Sequence, residues 1–471
     1  MRQLIVLAFT AISLVGCKTD NNSCGQAYFG GEIINPANNH VVLHDDSSII
    51  DTLYLDNENR FSYNIEALSP GLHSFFHGGE YQIVVLEPND SIMLRLNTAD
   101  FDESLVFTGN GAKKNNYLIN LFVSLENEER KIYELSKLGA DKFSVAVDEL
   151  ISAKRKKLDH FVQKQECSPL FTKVANRTID FNYYTAKEIY PLRHFGRYNL
   201  EKFTTLPEGF YNYRSNIDYD DEDLIDFYPF YTFMFAHFDN LALTSYFEET
   251  GDTVFDRNSV VYNLNKLRLI DDKVYNPTIK NELLRRATAR NFLSYTENPE
   301  DYEKIYASFI EKNTNENHKE YITKLYSTIN ALEPGNPLPD VEVVDFKNRN
   351  STLVSKVNKP TVIYFWTSAI KNHFKNSHLR VQELKEWYPD VDFISININS
   401  SKRSSIKKIL LDKNFPLENE YIFRNPEAAK STLALHYINR VIIVDENGNI
   451  LKSNANLFSK DFGKILNKIS Q

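Results

Sequence analysis

Only three cysteines, Cys17, Cys24 and Cys167, stand in the 471 residues. A thiolate can attack a disulfide, hold a metal or join a second thiol. Redox dithiols sit within one helical turn of each other, and the long interval between Cys24 and Cys167 excludes that role for them. In an oxidising compartment these two form either a structural disulfide or two free thiols. Three cysteines also exclude a disulfide-stapled scaffold and a Cys-rich zinc domain. Histidines offer the next chemistry: His373, His378 and His436 fall close together near the C-terminus. The interval from 373 to 378 does not place both on one helix face, as a spacing of three or four would. No metal site and no catalytic residue are expected. P-loop, GxSxG, HExxH and GxGxxG patterns do not occur, and no cofactor is expected.

Two further runs carry reactive-looking side chains. Asp218-Tyr219-Asp220-Asp221-Glu222-Asp223 is read as a solvated loop leading into a helix, whose positive end favours carboxylates. Tyr228, Phe230, Tyr231, Phe233, Phe235 and Phe238 are read as helical core rather than a ligand platform.

The N-terminus is an address. Arg2 precedes an uncharged, mostly apolar run from Leu4 to Gly16, too short for the ~20 residues that a spanning helix needs. The run ends in Leu14-Val15-Gly16-Cys17, which resembles the bacterial lipobox. That resemblance implies a signal peptide over 1–16, lipidation of Cys17 (palmitate among the acyl groups) and a lipidated tether over 17–24. Acyl chains contribute ~0.8 kcal/mol per buried CH₂, and several together anchor stably. The chain is therefore expected at the outer membrane, held by lipid, on either the periplasmic or the outer face.

Net charge is −9 with 25% charged and 42% hydrophobic residues, an ordinary globular composition. The acidic balance excludes a nucleic-acid binder that works by neutralising phosphates. Residues 25–112 read as a β-sandwich domain: Val41–Leu43, Ile49–Leu55, Phe61–Ile65, Tyr81–Leu86 and Ile92–Leu96 are separated by Asp, Asn, Ser and Pro turns. Phe75, Phe76 and Tyr81 offer an aromatic platform there, with one of the adjacent pair facing the core. Residues 113–330 lose the alternation and take helical spacing, punctuated by Pro191, Pro207, Pro229, Pro277 and Pro299. The fold class is multidomain α+β: an N-terminal antiparallel β-sandwich, a central helical region and a C-terminal domain over 331–471.

The last domain carries the most specific signal. A Pro-rich joint, Pro334-Gly335-Asn336-Pro337-Leu338-Pro339-Asp340, leads to Lys359-Pro360-Thr361-Val362-Ile363-Tyr364-Phe365-Trp366, an apolar run typical of a buried central strand. A strand at Val391–Ile398, helices at Ser377–Tyr388, Ser404–Asn414 and Lys460–Ile469, and a hairpin at Arg440–Ile450 follow. These motifs, with Val444-Asp445-x-x-Gly448, resemble the TlpA/ResA-like thioredoxin-fold lipoproteins of Bacteroidota. The resemblance implies a thioredoxin-like α/β domain and, in its ordinary members, thiol-disulfide oxidoreductase activity.

This chain departs from that pattern where the chemistry lies. After Phe365-Trp366 it reads Thr367-Ser368-Ala369-Ile370-Lys371-Asn372-His373, so Ile370 and His373 occupy the two thiol positions. Asn439 stands where the family places a cis-proline. The expectation is a redox-inactive, lipid-anchored, non-enzymatic binding or assembly subunit of a cell-envelope complex. Its expected partner is an outer-membrane β-barrel or lipoprotein complex, with peptide in the thioredoxin-like groove. The alternative is an envelope oxidoreductase of the TlpA/ResA type.

Overall fold

The computed structural model describes residues 25–45, 48–294, 299–399, 402–435 and 438–470. Cys17, Cys24 and His436 lie outside these residues. Contacts divide the chain into two compact units: 1–194 with 207–216 and 221–233, and the remainder.

In the first unit, eight strands form two sheets. They are β1 (Gly25–Ile34), β2 (His40–Asp45), β3 (Ser48–Tyr54), β4 (Arg60–Leu68), β5 (Gly71–His77), β6 (Glu80–Leu86), β7 (Ser91–Asn97) and β8 (Val106–Asn110). The sheet orders are β4-β1-β7-β8 and β3-β2-β5-β6. Alternating inward residues from both, including Phe29, Leu43, Phe75, Val84 and Ile92, share one core, which is the logic of a sandwich. The antiparallel expectation needs one correction: β1 and β7 run parallel, Tyr28 opposite Ser91 through Ile34 opposite Asn97. Between β1 and β7 the chain adds β2, β3, β5 and β6 to the second sheet and β4 to one edge of β1, so β7 reaches the other edge by a long crossover, which permits parallel pairing.

A short helix α1 (Phe101–Ser104) precedes α2 (Ala112–Leu135), α3 (Ala140–Gln165) and α4 (Pro169–Phe195). Asn115 fastens α2 to the sandwich: its amide accepts the Val85 N–H at 2.8 Å and donates to the Val85 carbonyl at 3.0 Å. Asn116 does the same for Phe107, at 2.8 and 2.7 Å. Both amides therefore satisfy edge-strand backbone that burial would otherwise leave unpaired.

Next come α5 (Tyr228–Thr250), α6 (Val260–Lys273), α7 (Pro277–Ser294), α8 (Pro299–Lys312) and α9 (Glu316–Ala331). Phe230, Tyr231, Phe233 and Phe238 are buried, as the core reading of that aromatic run requires, whereas Tyr228 is exposed. The acidic run spends its carboxylates on the protein. Asp221 and Asp223 both take the Lys173 ammonium at 2.6 Å. Asp220 accepts the Tyr275 and Asn276 backbone N–H groups, each at 2.6 Å.

The C-terminal part comprises β9 (Glu342–Asp345), β10 (Asn350–Thr352), β11 (Thr361–Trp366), α10 (Lys371–Trp387), β12 (Asp392–Asn397), α11 (Arg403–Asp412), β13 (Glu420–Phe423), α12 (Pro426–Thr432), β14 (Val441–Val444), β15 (Ile450–Ala455) and α13 (Phe462–Ile469). Its sheet runs β10-β9-β13-β12-β11-β14-β15. β11, β12 and β13 are parallel, whereas β14 is antiparallel to β11 and β15 to β14. The unit β11-α10-β12 followed by β14-β15-α13, with strand order β12-β11-β14-β15, is the thioredoxin arrangement. Every residue of β11 is buried, as expected for a central strand covered on both faces. The Pro-rich joint is not a free linker: Gly335 donates to the Ile450 carbonyl at 2.7 Å and Leu338 to the Gly448 carbonyl at 2.8 Å.

Candidate functional site

The site lies where β11 hands over to α10. β11 ends on Trp366, fully buried and stacked on Phe374 at 4.5 Å. Ile406, Leu410 and Phe415 complete this cluster. Helix α10 buries Phe374, Ser377, His378, Val381 and Leu384, the i, i+3, i+4, i+7 stripe of a helix laid on a sheet. The connecting loop is closed by polar bonds at the carboxyl ends of the strands. Thr367 donates to Asn399 Oδ1 at 2.5 Å, and the Asn399 N–H donates to Asn397 Oδ1 at 3.0 Å.

The three positions singled out in the sequence converge here. Ile370 occupies the N-cap of α10 without a capping side chain, and its side chain is 46% exposed. His373 sits one turn later, half-buried, its ring 6.1 Å from the exposed Phe458. Asn439 is exposed, with all described peptide bonds trans. Burial, and then the nearby His378, hold the His373 imidazole below its ordinary value, and the Asn439 side chain offsets only part of that. The helix dipole that would stabilise a thiolate at position 370 meets an isoleucine instead.

Ser377 Oγ lies 3.3 Å from His373 Nε2, a Ser–His pair at i, i+4, but Ser377 is completely buried and cannot meet a substrate. Among the described residues no group of three His, Cys, Asp or Glu side chains could hold a metal. His378 is separated from His373 in environment: it is 4% exposed, beneath Trp366.

Beneath the surface lies a buried polar chain that the sequence did not announce. His378 Nδ1 donates to the Phe374 carbonyl at 2.8 Å, and Nε2 faces Glu420 Oε1 at 3.2 Å. Glu420, on β13, is itself 4% exposed. Ser395 Oγ is 3.5 Å from the same Nε2. Burial, and then the Glu420 charge, push the Tyr364 phenol well above its ordinary value. One signal for this chain was available: Glu420 is an acid beside the apolar Tyr421-Ile422-Phe423.

Cys167 follows α3 in the first unit, is half-buried and joins no disulfide among the described residues. Burial, and then the Glu87 charge, raise it above the ordinary thiol range, which lowers its thiolate fraction at neutral pH. On the sandwich, Phe75 faces the core, while Phe76 stacks on Tyr81 at 5.1 Å and lies tilted against His44 at 4.6 Å on the other face.

No protein-family model matches the chain, and no curated protein matches it. Its structural neighbours are thioredoxin-fold proteins of the thiol-disulfide oxidoreductase and DsbE-like kind. One, described as a thiol-disulfide oxidoreductase of Bacteroides vulgatus, is 22% identical, spans 30% of this chain and 98% of its own, with a TM-score of 0.27. The thioredoxin domain of another thiol-disulfide oxidoreductase of Bacteroides vulgatus is 16% identical over 30% of this chain and 99% of its own, TM-score 0.26. One described as the thiol:disulfide interchange protein DsbE of Chlorobium tepidum is 17% identical over 29% and 94%, TM-score 0.25.

Proposed function

We propose that this chain is a lipid-anchored, redox-inactive thioredoxin-like protein that serves as a binding or assembly subunit of an outer-membrane complex. The observation that carries the proposal is the start of α10. Thiol–disulfide exchange there needs two sulfurs, and the positions hold the exposed Ile370 and the half-buried His373. Ile370 and Phe458, which flank His373 in sequence and in ring contact respectively, are each exposed apolar side chains, the residue character found at the centre of protein-docking surfaces. Lipidation at Cys17 keeps the chain at the membrane, where a β-barrel or lipoprotein complex is the partner and a peptide segment of it takes the groove. Among the described residues no helix is long and apolar enough to cross a membrane.

The test is co-purification of the full-length, C-terminally tagged lipoprotein from detergent-solubilised membranes. A membrane protein recovered in stoichiometric amount, and lost when Ile370→Glu is combined with Phe458→Ser, is the expected result. Both side chains are substantially exposed, so the variant keeps its fold. Recovery of the same partner by wild type and variant alike would remove the groove from the interface. Recovery of no partner by the wild type would overturn the subunit role.

A further inference from the structure

The basic run Lys154-Arg155-Lys156-Lys157 on α3 divides between two sides of the helix, because residues three apart share a face and neighbours do not. Lys154 and Lys157 turn toward α2, where they line a cavity of about 430 Å³ with Lys113. That volume is within the range of small-molecule sites. The aromatic wall is Tyr117 stacked on Phe161, ring centroids 4.4 Å apart, buttressed by the buried Phe171. Three ammonium groups and no carboxylate face the space.

The three lysines are not equivalent. Lys154 is 7% exposed and is neutralised from behind by Glu128 at 2.8 Å. Lys113 donates to the uncharged amide of Gln165 at 2.8 Å and makes no ion pair among the described residues. Lys157 makes none either. Asp159 is the acid close enough to act on the Tyr117 phenol, and it does not line the cavity. Two uncompensated cations beside a flat aromatic wall select for a ligand with a planar apolar body and one negative group.

We propose that this cavity binds an aromatic or similarly flat monoanion, its body against Tyr117 and Phe161 and its acid group on the ammoniums of Lys113 and Lys157. The site lies in the helical part of the first unit and is independent of the function proposed for the thioredoxin-like domain. The probes are 1-anilinonaphthalene-8-sulfonate and its uncharged relative N-phenyl-1-naphthylamine, titrated into the full chain by fluorescence. The sulfonate binds one site about tenfold more tightly, the factor that two partly exposed ion pairs supply. Lys113→Gln with Lys157→Gln erases that preference and leaves the thermal melt unchanged, since both lysines are exposed. Phe161→Ala weakens both probes together. Equal binding of the two probes, or a preference that survives the double lysine substitution, would overturn the proposal.

Discussion

His378→Leu will destabilise the thioredoxin-like domain by about 1–3 kcal/mol, because it leaves the Glu420 carboxyl buried without the imidazole that faces it at 3.2 Å. Glu420 is 4% exposed, and its Oε2 already has no hydrogen-bond partner among the described residues, so no nearby donor takes over. Adding Glu420→Leu should recover most of the loss, since replacing both partners of a buried polar contact by apolar groups of similar volume is nearly neutral. Urea denaturation can follow this through tryptophan fluorescence. Both tryptophans, Trp366 and Trp387, belong to this domain, and Trp366 lies 5.2 Å from the His378 ring. Strictly additive losses in the double variant would show that the two side chains are not coupled.

Trp366→Ala should cost more, ~3–5 kcal/mol, by opening a cavity in a fully buried stack. The ring packs on Phe374 and meets His378 edge to face, so its loss loosens the whole floor of the site. Trp366→Phe discriminates packing from polarity. The indole Nε1 has no partner among the described residues, so phenylalanine keeps most of the contact and removes an unsatisfied donor. It should cost under about 1.5 kcal/mol, the range of volume-tolerant aromatic and aliphatic swaps. Far-UV circular dichroism against urea checks both. A Trp366→Ala loss below that of Trp366→Phe would contradict the packing account.

Much of the thioredoxin-like domain was legible because its central strand declares itself. Val362–Trp366 is a short, unbroken run of β-branched and aromatic residues after Lys359-Pro360, the pattern of a strand covered on both faces. Asp445 to Gly448 likewise marked the β14–β15 turn, where Gly448 takes a φ of +83° and Asp445 accepts the Asn447 and Asn449 N–H groups. β13 was missed. It spans four residues, begins on a charged side chain, and its burial depends on His378, a partner far away in sequence. The start of α10 was placed at Ser377 rather than Lys371, since Lys371-Asn372-His373 carries no apolar period. The parallel β1–β7 pairing was not legible either, because alternation reports a strand's faces and not the direction of its neighbour.

Ile370, His373 and Asn439 were located by their intervals from Trp366 and Val444, and the structure gathers them at one end of α10. What intervals could not show is that the Phe458 ring meets the His373 ring edge to face, centroids 6.1 Å apart. That contact depends on how the loop after β15 returns to the helix start.

We propose that this chain keeps a thioredoxin-like fold and has given up its thiol chemistry. This is tested most directly by reduction of insulin disulfides by dithiothreitol in the presence of the full-length protein. Turnover at the uncatalysed rate, unchanged by Cys167→Ser, with activity gained on combining Ile370→Cys and His373→Cys, is the predicted result. Wild-type turnover well above background that Cys167→Ser abolishes would contradict it and make this chain an oxidoreductase by another route.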